Sequence, residues 1–292
     1  MDLKRILVAV NSLNGRDAAF ERALTLARSS GAELYLLYAV PTNRPFAFRA
    51  ADRLKRMTDM RQRAEDAGVH AQTIEQPGDP AGIIELHANA REVDLIVMGS
   101  APRRGWGRHR SLVAERVIRR ANIPTLIVAS NTTSDGPTAF KNVLVAVDLS
   151  PASKDVLGNA IELTVAEAVQ LTVMHTVKAV EAADDIRNPA RWMVPEYRTH
   201  VLRDARRALE RVVSAVSAGI DTRVRVTAGS AARTILDNAA DMNADLVVVG
   251  RSRGFKMLGS TALRVLRKSD RSLLVVPGAA ARSGRADWPY AA

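Results

Sequence analysis

Short apolar runs alternate along this chain with longer segments of helical periodicity. In the first half, residues 3–10, 33–40, 69–75, 93–98 and 124–129 read as strands. Several of these runs are apolar at almost every position, as expected of strands covered on both faces. Between them, residues 14–30, 50–67, 79–91 and 111–121 read as helices. The first places Phe20, Ala23, Leu24 and Ala27 on one stripe and stops at Gly31. The second half gives strands at 140–147, 169–177, 220–227, 244–249 and 272–276, and helices at 150–167, 195–218, 230–242 and 259–269. Ser150-Pro151 reads as a hydroxyl cap with proline in the first turn. Strict alternation of strand and helix predicts an α/β fold with parallel strands and helices on both faces.

The same pattern is written twice. Arg5-Ile6-Leu7-Val8-Ala9-Val10-Asn11 returns as Asn142-Val143-Leu144-Val145-Ala146-Val147-Asp148, displaced by 137 residues. Val93-Asp94-Leu95-Ile96-Val97-Met98-Gly99 returns as Ala244-Asp245-Leu246-Val247-Val248-Val249-Gly250, displaced by 151. Ile123-Pro124-Thr125-Leu126-Ile127-Val128 returns as Arg271-Ser272-Leu273-Leu274-Val275-Val276, displaced by 148. The changing offset places an insertion near 178–199 and a shortened loop after the fourth strand of the second half. Two domains are expected, 1–130 and 139–278. The Ser-, Thr-, Gly- and Pro-bearing segment 131–138 joins them, and 279–292 forms a loose tail.

Composition narrows the function classes. A chain of 292 residues, 47% hydrophobic and 25% charged, has the profile of a soluble two-domain protein. No apolar run approaches the ~20 residues of a membrane span, so no membrane association is expected. The first residues lead straight into a strand, so no export signal is expected either. There are no cysteines, which removes disulfides, thiol catalysis and cysteine metal sites and fits a cytoplasmic location. The net charge of +11 comes with no nucleic-acid recognition motif, so a nucleic-acid partner is not favoured. The five histidines, His70, His87, His109, His175 and His200, have no metal spacing. His175 reads as a satisfied core residue. No nucleophile elbow or Walker loop is present.

Three marks give the chain a resemblance. They are the opening strand ending in Val-Asp-x-Ser, the Ala-Asp-Leu strand closed by glycine, and the helix Val113-Ala114-Glu115-Arg116-Val117-Ile118-Arg119-Arg120 before Pro124-Thr125-Leu126-Ile127-Val128. Taken in order and in both halves, they resemble the universal stress protein family in its tandem form. That resemblance implies two five-stranded sheets of order 3-2-1-4-5 in an adenine nucleotide alpha hydrolase-like fold. It also implies pairing through the last strands, an intrachain pseudo-dimer. ATP-binding members resemble Gly-x-x-Gly, nine residues, then Gly-Ser/Thr. Their site lies beyond the carboxyl ends of the first and fourth strands, where strand order reverses.

The first half departs from this pattern. Gly99 is followed at +3 by Pro102, Ser111-Leu112 stands where Gly-Ser is expected, and Asn11 replaces the aspartate. Proline supplies no N–H and leucine no hydroxyl. The second half is closer: Asp148 is present and Gly259-Ser260-Thr261 opens a helix. Its loop is short, with Arg253 at +3 and Gly254 available as the middle glycine. If ATP or another adenine nucleotide binds, with magnesium, the resemblance implies Val147 and Val177 flanking the base. Asp148 would meet the base or ribose, and the amides of Gly259, Ser260 and Thr261 would hold phosphate. Gly250 would root the loop, and Arg251 or Arg253 would add charge. The competing reading makes Gly250, Gly254 and Gly259 simple turn residues and Asp148 a cap of the first helix or a partner of an arginine.

Two further features stay open. Residues 103–110, rich in arginine around Trp106, read either as a polyanion clamp or as a solvated loop. The apolar stretches 44–48 and 191–195 read either as a roof over a hydrophobic ligand or as self-packing. The leading expectation is a non-catalytic stress-response sensor or regulator. The alternatives are a nucleotide switch with slow ATP hydrolysis and a carrier of a small hydrophobic ligand. A homodimer of chains and a small-molecule or protein partner are left open.

Overall fold

The computed structural model describes residues 3–10, 17–40, 50–100, 108–129, 139–164, 169–177, 195–217, 220–251 and 259–278, with the backbone alone for 108–111. The expected linker 131–138, the tail 279–292, the arginine-rich 103–107 and the apolar 44–48 and 191–194 lie outside them. The first half runs β1 (Arg5–Ala9), α1 (Ala18–Ser30), β2 (Glu33–Val40), α2 (Ala50–Asp66), β3 (Ala71–Pro77), α3 (Pro80–Ala90), β4 (Leu95–Gly99), α4 (Arg108–Arg120) and β5 (Thr125–Val128). The second runs β6 (Asn142–Ala146), α5 (Ser153–Thr164), β7 (Gln170–Val177), α6 (Pro195–Ser214), β8 (Thr222–Ala228), α7 (Ala231–Asp241), β9 (Leu246–Gly250), α8 (Ser260–Lys268) and β10 (Ser272–Val276).

The ten described strands join one sheet, ordered β3-β2-β1-β4-β5-β10-β9-β6-β7-β8. Each half thus has the expected 3-2-1-4-5 order and parallel pairing, and the halves meet edge to edge. The junction β5–β10 is the sheet's antiparallel step, with Leu126 opposite Leu274, Ile127 opposite Leu273 and Thr125 opposite Val275. Leu126 and Leu274 are equivalent positions of the repeat, so a pseudo-twofold axis passes between them. The fully buried Ser272 adds a bond across the junction, its hydroxyl accepting from the Ala129 amide at 3.2 Å.

One apolar cluster lies on each face and spans both halves. On one face α1, α2, α5 and α6 bury Phe20, Met57, Leu157 and Leu209 against Val8, Leu36, Val145 and Leu274. On the other, α3, α4, α7 and α8 bury Ile84, Val117, Ile235 and Val265 against Leu7, Ile96, Val247 and Leu273. In the inner strands alternate residues feed opposite clusters, which is why those strands read as continuous apolar runs.

Local chemistry sets the element ends. The Asp17 carboxylate accepts from the amides of Ala19 at 3.0 Å and Phe20 at 3.3 Å, so α1 starts at Ala18, not near residue 14. Gly31 ends it with φ +73°. The aspartate of the Ala-Asp-Leu repeat has a structural role in both halves. Asp94 accepts from the amides of Lys4 and Arg5, both at 2.9 Å. Asp245 does the same for Lys141 at 2.9 Å and Asn142 at 3.0 Å. Each carboxylate ties the strand it precedes to the opening of the first strand of its half. No described helix is long and apolar enough to cross a membrane.

Candidate functional site

In the second half the carboxyl ends of β6 and β9 lie side by side, with Ala146 paired to Val249. Val147 and Gly250 are the next residues on each strand. The Val147 amide donates to the Met174 carbonyl at 3.0 Å, which keeps this buried valine in line with the sheet. Its own carbonyl lies 2.9 Å from Nδ1 of His175. A carbonyl only accepts, so Nδ1 carries the hydrogen. His175 is therefore bonded through Nδ1 but half-buried rather than in the core as expected, and it orients the residue preceding Asp148. On β7, Val177 is buried, and its carbonyl accepts from the Gly229 amide at 2.9 Å.

Asp148 stands exposed at the rim of this crevice. Its Oδ1 accepts from the Ser150 amide at 3.0 Å and the Ser153 hydroxyl at 3.3 Å. Partial burial pushes its pKa up, but the hydrogen bonds from Ser150 and Ser153 outweigh this and hold the carboxyl below the usual carboxylate range. The tight turn bends Leu149 into the left-handed region at φ +61°. A leucine pays about 1–2 kcal/mol for that conformation; here its side chain packs on the core beneath. The expectation that Ser150 caps α5 is corrected by this turn. Ser150 and Pro151 close around Asp148, and α5 begins at Ser153. Sequence reasoning missed Ser153 as a partner of Asp148, although a hydroxyl five residues after an aspartate was a legible signal.

After β9, Gly259 is the N-cap of α8, and Ser260 and Thr261 begin the helix. No acidic residue occupies its first turn, and no side-chain hydrogen bond caps it among the described residues. Amides at such a terminus attract anions. Gly250 has a structural constraint of its own. A Cβ there would fall 2.9 Å from Cγ2 of Val156 on α5. Gly254 and Arg253 lie outside the described residues.

Of the two candidate cations Arg251 and Arg253, Arg251 is the one described, and its side chain contacts the other half of the molecule. Its Nη1 donates to the carbonyls of Ile118 at 2.8 Å, Arg119 at 3.2 Å and Ala121 at 3.1 Å. Its Nη2 donates to Oδ1 of Asn122 at 2.7 Å. The guanidinium thus caps the end of α4, where carbonyls lack helical partners and carry partial negative charge. Burial lowers its pKa from the usual arginine value.

In the first half, β4 ends at Gly99 and α4 begins at Arg108. Asn11, Pro102 and the Ser111 side chain lie outside the described residues. The α4 and α8 helices meet across the pseudo-twofold axis through Glu115, whose side chain is 9% exposed. Its Oε1 accepts from Arg119 at 2.7 Å and its Oε2 from Arg267 at 2.8 Å. The repeat places Arg119 and Arg267 at equivalent positions, and Leu263 at the equivalent of Glu115. Burial raises the Glu115 pKa, and the two arginines overcome this and bring it below the usual range. Among the described residues, no group of three or more His, Cys, Asp or Glu could hold a metal ion.

Comparison with known proteins agrees with the fold and the duplication. The model of the universal stress protein family matches twice, at residues 2–129 and 139–277. A universal stress protein of Methanocaldococcus jannaschii is 31% identical over 142 residues, 43% of this chain and 81% of the relative. One from Synechocystis is 32% identical over 152 residues, 47% of this chain and 97% of the relative. A universal stress protein structure from Archaeoglobus fulgidus superposes with a TM-score of 0.69 at 21% identity, covering 94% of this chain and 96% of its own. A functionally unknown protein from Pseudomonas aeruginosa superposes at 0.70 with 18% identity, covering 96% and 95%. With both halves matched by the family model, the chain belongs to the universal stress protein family.

Proposed function

We propose that this chain is a non-catalytic stress-response sensor or regulator of the cytoplasm whose second domain carries a partly degenerate adenine-nucleotide pocket. One observation carries the reading. The ionised Asp148, fixed by Ser150 and Ser153, follows β6, and the start of α8, without a side-chain cap among the described residues, follows the neighbouring strand β9. A carboxylate suits the hydroxyls or amino groups of a nucleoside, and free amides at a helix start suit its phosphates. Val147 and Val177 supply the apolar walls for a base. Gly259, Ser260 and Thr261 hold the phosphate end, with Gly250 and Gly254 at the root and middle of the loop and magnesium accompanying a triphosphate. The first domain, with Asn11 and Pro102, serves mainly as a partner surface.

The test is titration of the full chain with magnesium-ATP by calorimetry. Binding is expected in the wild type, lost in Asp148→Ala and Gly259→Val, and unchanged in Asn11→Ala. Equal losses from Asp148→Ala and Asn11→Ala would overturn the assignment to the second domain. Absence of any binding, together with no adenine nucleotide extracted from purified protein, would overturn the pocket itself.

A further inference from the structure

We propose that Arg251 is a positioning residue that makes the second domain's pocket dependent on the first domain. The proposal rests on the nucleotide reading of that pocket and adds its regulation. Arg251 directly follows Gly250, where the chain leaves β9 for the proposed phosphate segment. Its backbone amide donates to the Val276 carbonyl at 2.8 Å, pinning it to the end of β10. The twin residue Ser100 does the same to Val128 at 2.7 Å. The side chains differ. Ser100 is far shorter, whereas Arg251 crosses to the other domain and makes four contacts with Ile118, Arg119, Ala121 and Asn122.

A single residue therefore belongs to two structures at once. Its backbone forms the root of the second domain's loop, and its side chain is the terminal cap of the first domain's α4. A planar guanidinium sharing donors among four acceptors fixes direction as well as distance. Moving the loop root pulls the cap from α4, and fraying the end of α4 frees the root. Coupling of this kind is reciprocal. Nucleotide in the second pocket tightens the last turn of α4, and an event that opens α4 weakens nucleotide. The device is present once, because serine stands at the twin position.

The test uses the full chain, magnesium-ATP as probe, calorimetry for affinity and hydrogen exchange for the backbone. Arg251→Ala is expected to weaken ATP about tenfold. In the ligand-free protein it should speed exchange of the amides of both 119–124 and 259–262. Arg251→Lys, with a point charge in place of the fork, should fall between. Ser272→Ala removes the junction bond from the Ala129 amide without touching α4, α8 or the loop root. It should lower the melting temperature and leave both ATP affinity and the exchange of 259–262 unchanged. The proposal is overturned if Arg251→Ala destabilises the protein while affinity and the exchange of 259–262 stay at wild-type values. It is equally overturned if Ser272→Ala weakens ATP as much as Arg251→Ala does. Should the wild type bind no ATP, the nucleotide reading falls, and the ligand-free exchange of 259–262 still decides whether Arg251 anchors the loop.

Discussion

A methyl group is all that separates Gly250 from alanine, and Val156 leaves no space for it. The added Cβ would lie 2.9 Å from a side chain that is itself almost fully buried, so neither partner can yield cheaply. Gly250→Ala is expected to cost about 1–3 kcal/mol, the usual penalty of overpacking, measured by urea denaturation. Pairing it with Val156→Ala should destabilise by less than the two single changes added together, because the second change vacates the contested space. A glycine at the end of a strand was legible as a candidate for phosphate approach. Its packing against α5 was not, because Val156 lies 94 positions earlier. Asp148 was equally legible from its place after the apolar run, whereas its grip by Ser150 and Ser153 depends on a turn that a serine-proline pair disguises as a helix start. Arg251 was legible only as a cation beside a glycine. Nothing local in the sequence indicates four acceptors from 118 to 122.

Among the elements, α4 and α8 are held together by an acid shared between two bases. Glu115→Gln leaves Arg119 and Arg267 facing each other with a neutral amide between them. Glu115 accepts three hydrogen bonds from the two arginines, and glutamine keeps one acceptor oxygen while turning an NH2 toward the other cation, which should cost about 2 kcal/mol, less than a fully buried pair because Arg267 is 52% exposed. The pH dependence has a definite sign. The folded-state pKa of Glu115 lies below that of the unfolded chain. Its stabilisation is therefore complete above the ordinary carboxylate range and disappears as pH falls through the folded value. The gap between wild type and Glu115→Gln in denaturant midpoint should close from pH 7 toward pH 3; a gap independent of pH would contradict this pairing. Element order was readable from periodicity, since the eighteen described elements fall where apolar runs and helical stripes predicted them. Their exact ends were not, because ends follow side-chain caps such as Asp17 and carboxylates such as Asp148.

For the molecule as a whole, the ten-stranded sheet depends on one antiparallel seam. Leu126, Ile127, Leu273 and Leu274 are nearly inaccessible there. Expressed apart, residues 1–130 and 139–278 would each bare a full apolar edge strand, which invites pairing with another strand. The two pieces are expected to co-sediment as a one-to-one complex when mixed and to self-associate when alone. Monomers of each piece at micromolar concentration would show that the seam is not the source of cohesion. The repeat made this architecture legible, because the internal offsets imply two equal units. The resemblance implied that they join through their last strands.

Two identical molecules meeting about an axis must bring every group twice. An acid near that axis arrives with an identical acid turned half a revolution, and neither can be altered alone. Joining the copies into one polypeptide lifts that restriction. Position 115 holds glutamate while its counterpart, 263, holds leucine, so three charges form a closed cluster that no self-paired ancestor could assemble. The fusion has thus given the protein a left and a right, and with them the freedom to assign the two lobes different work.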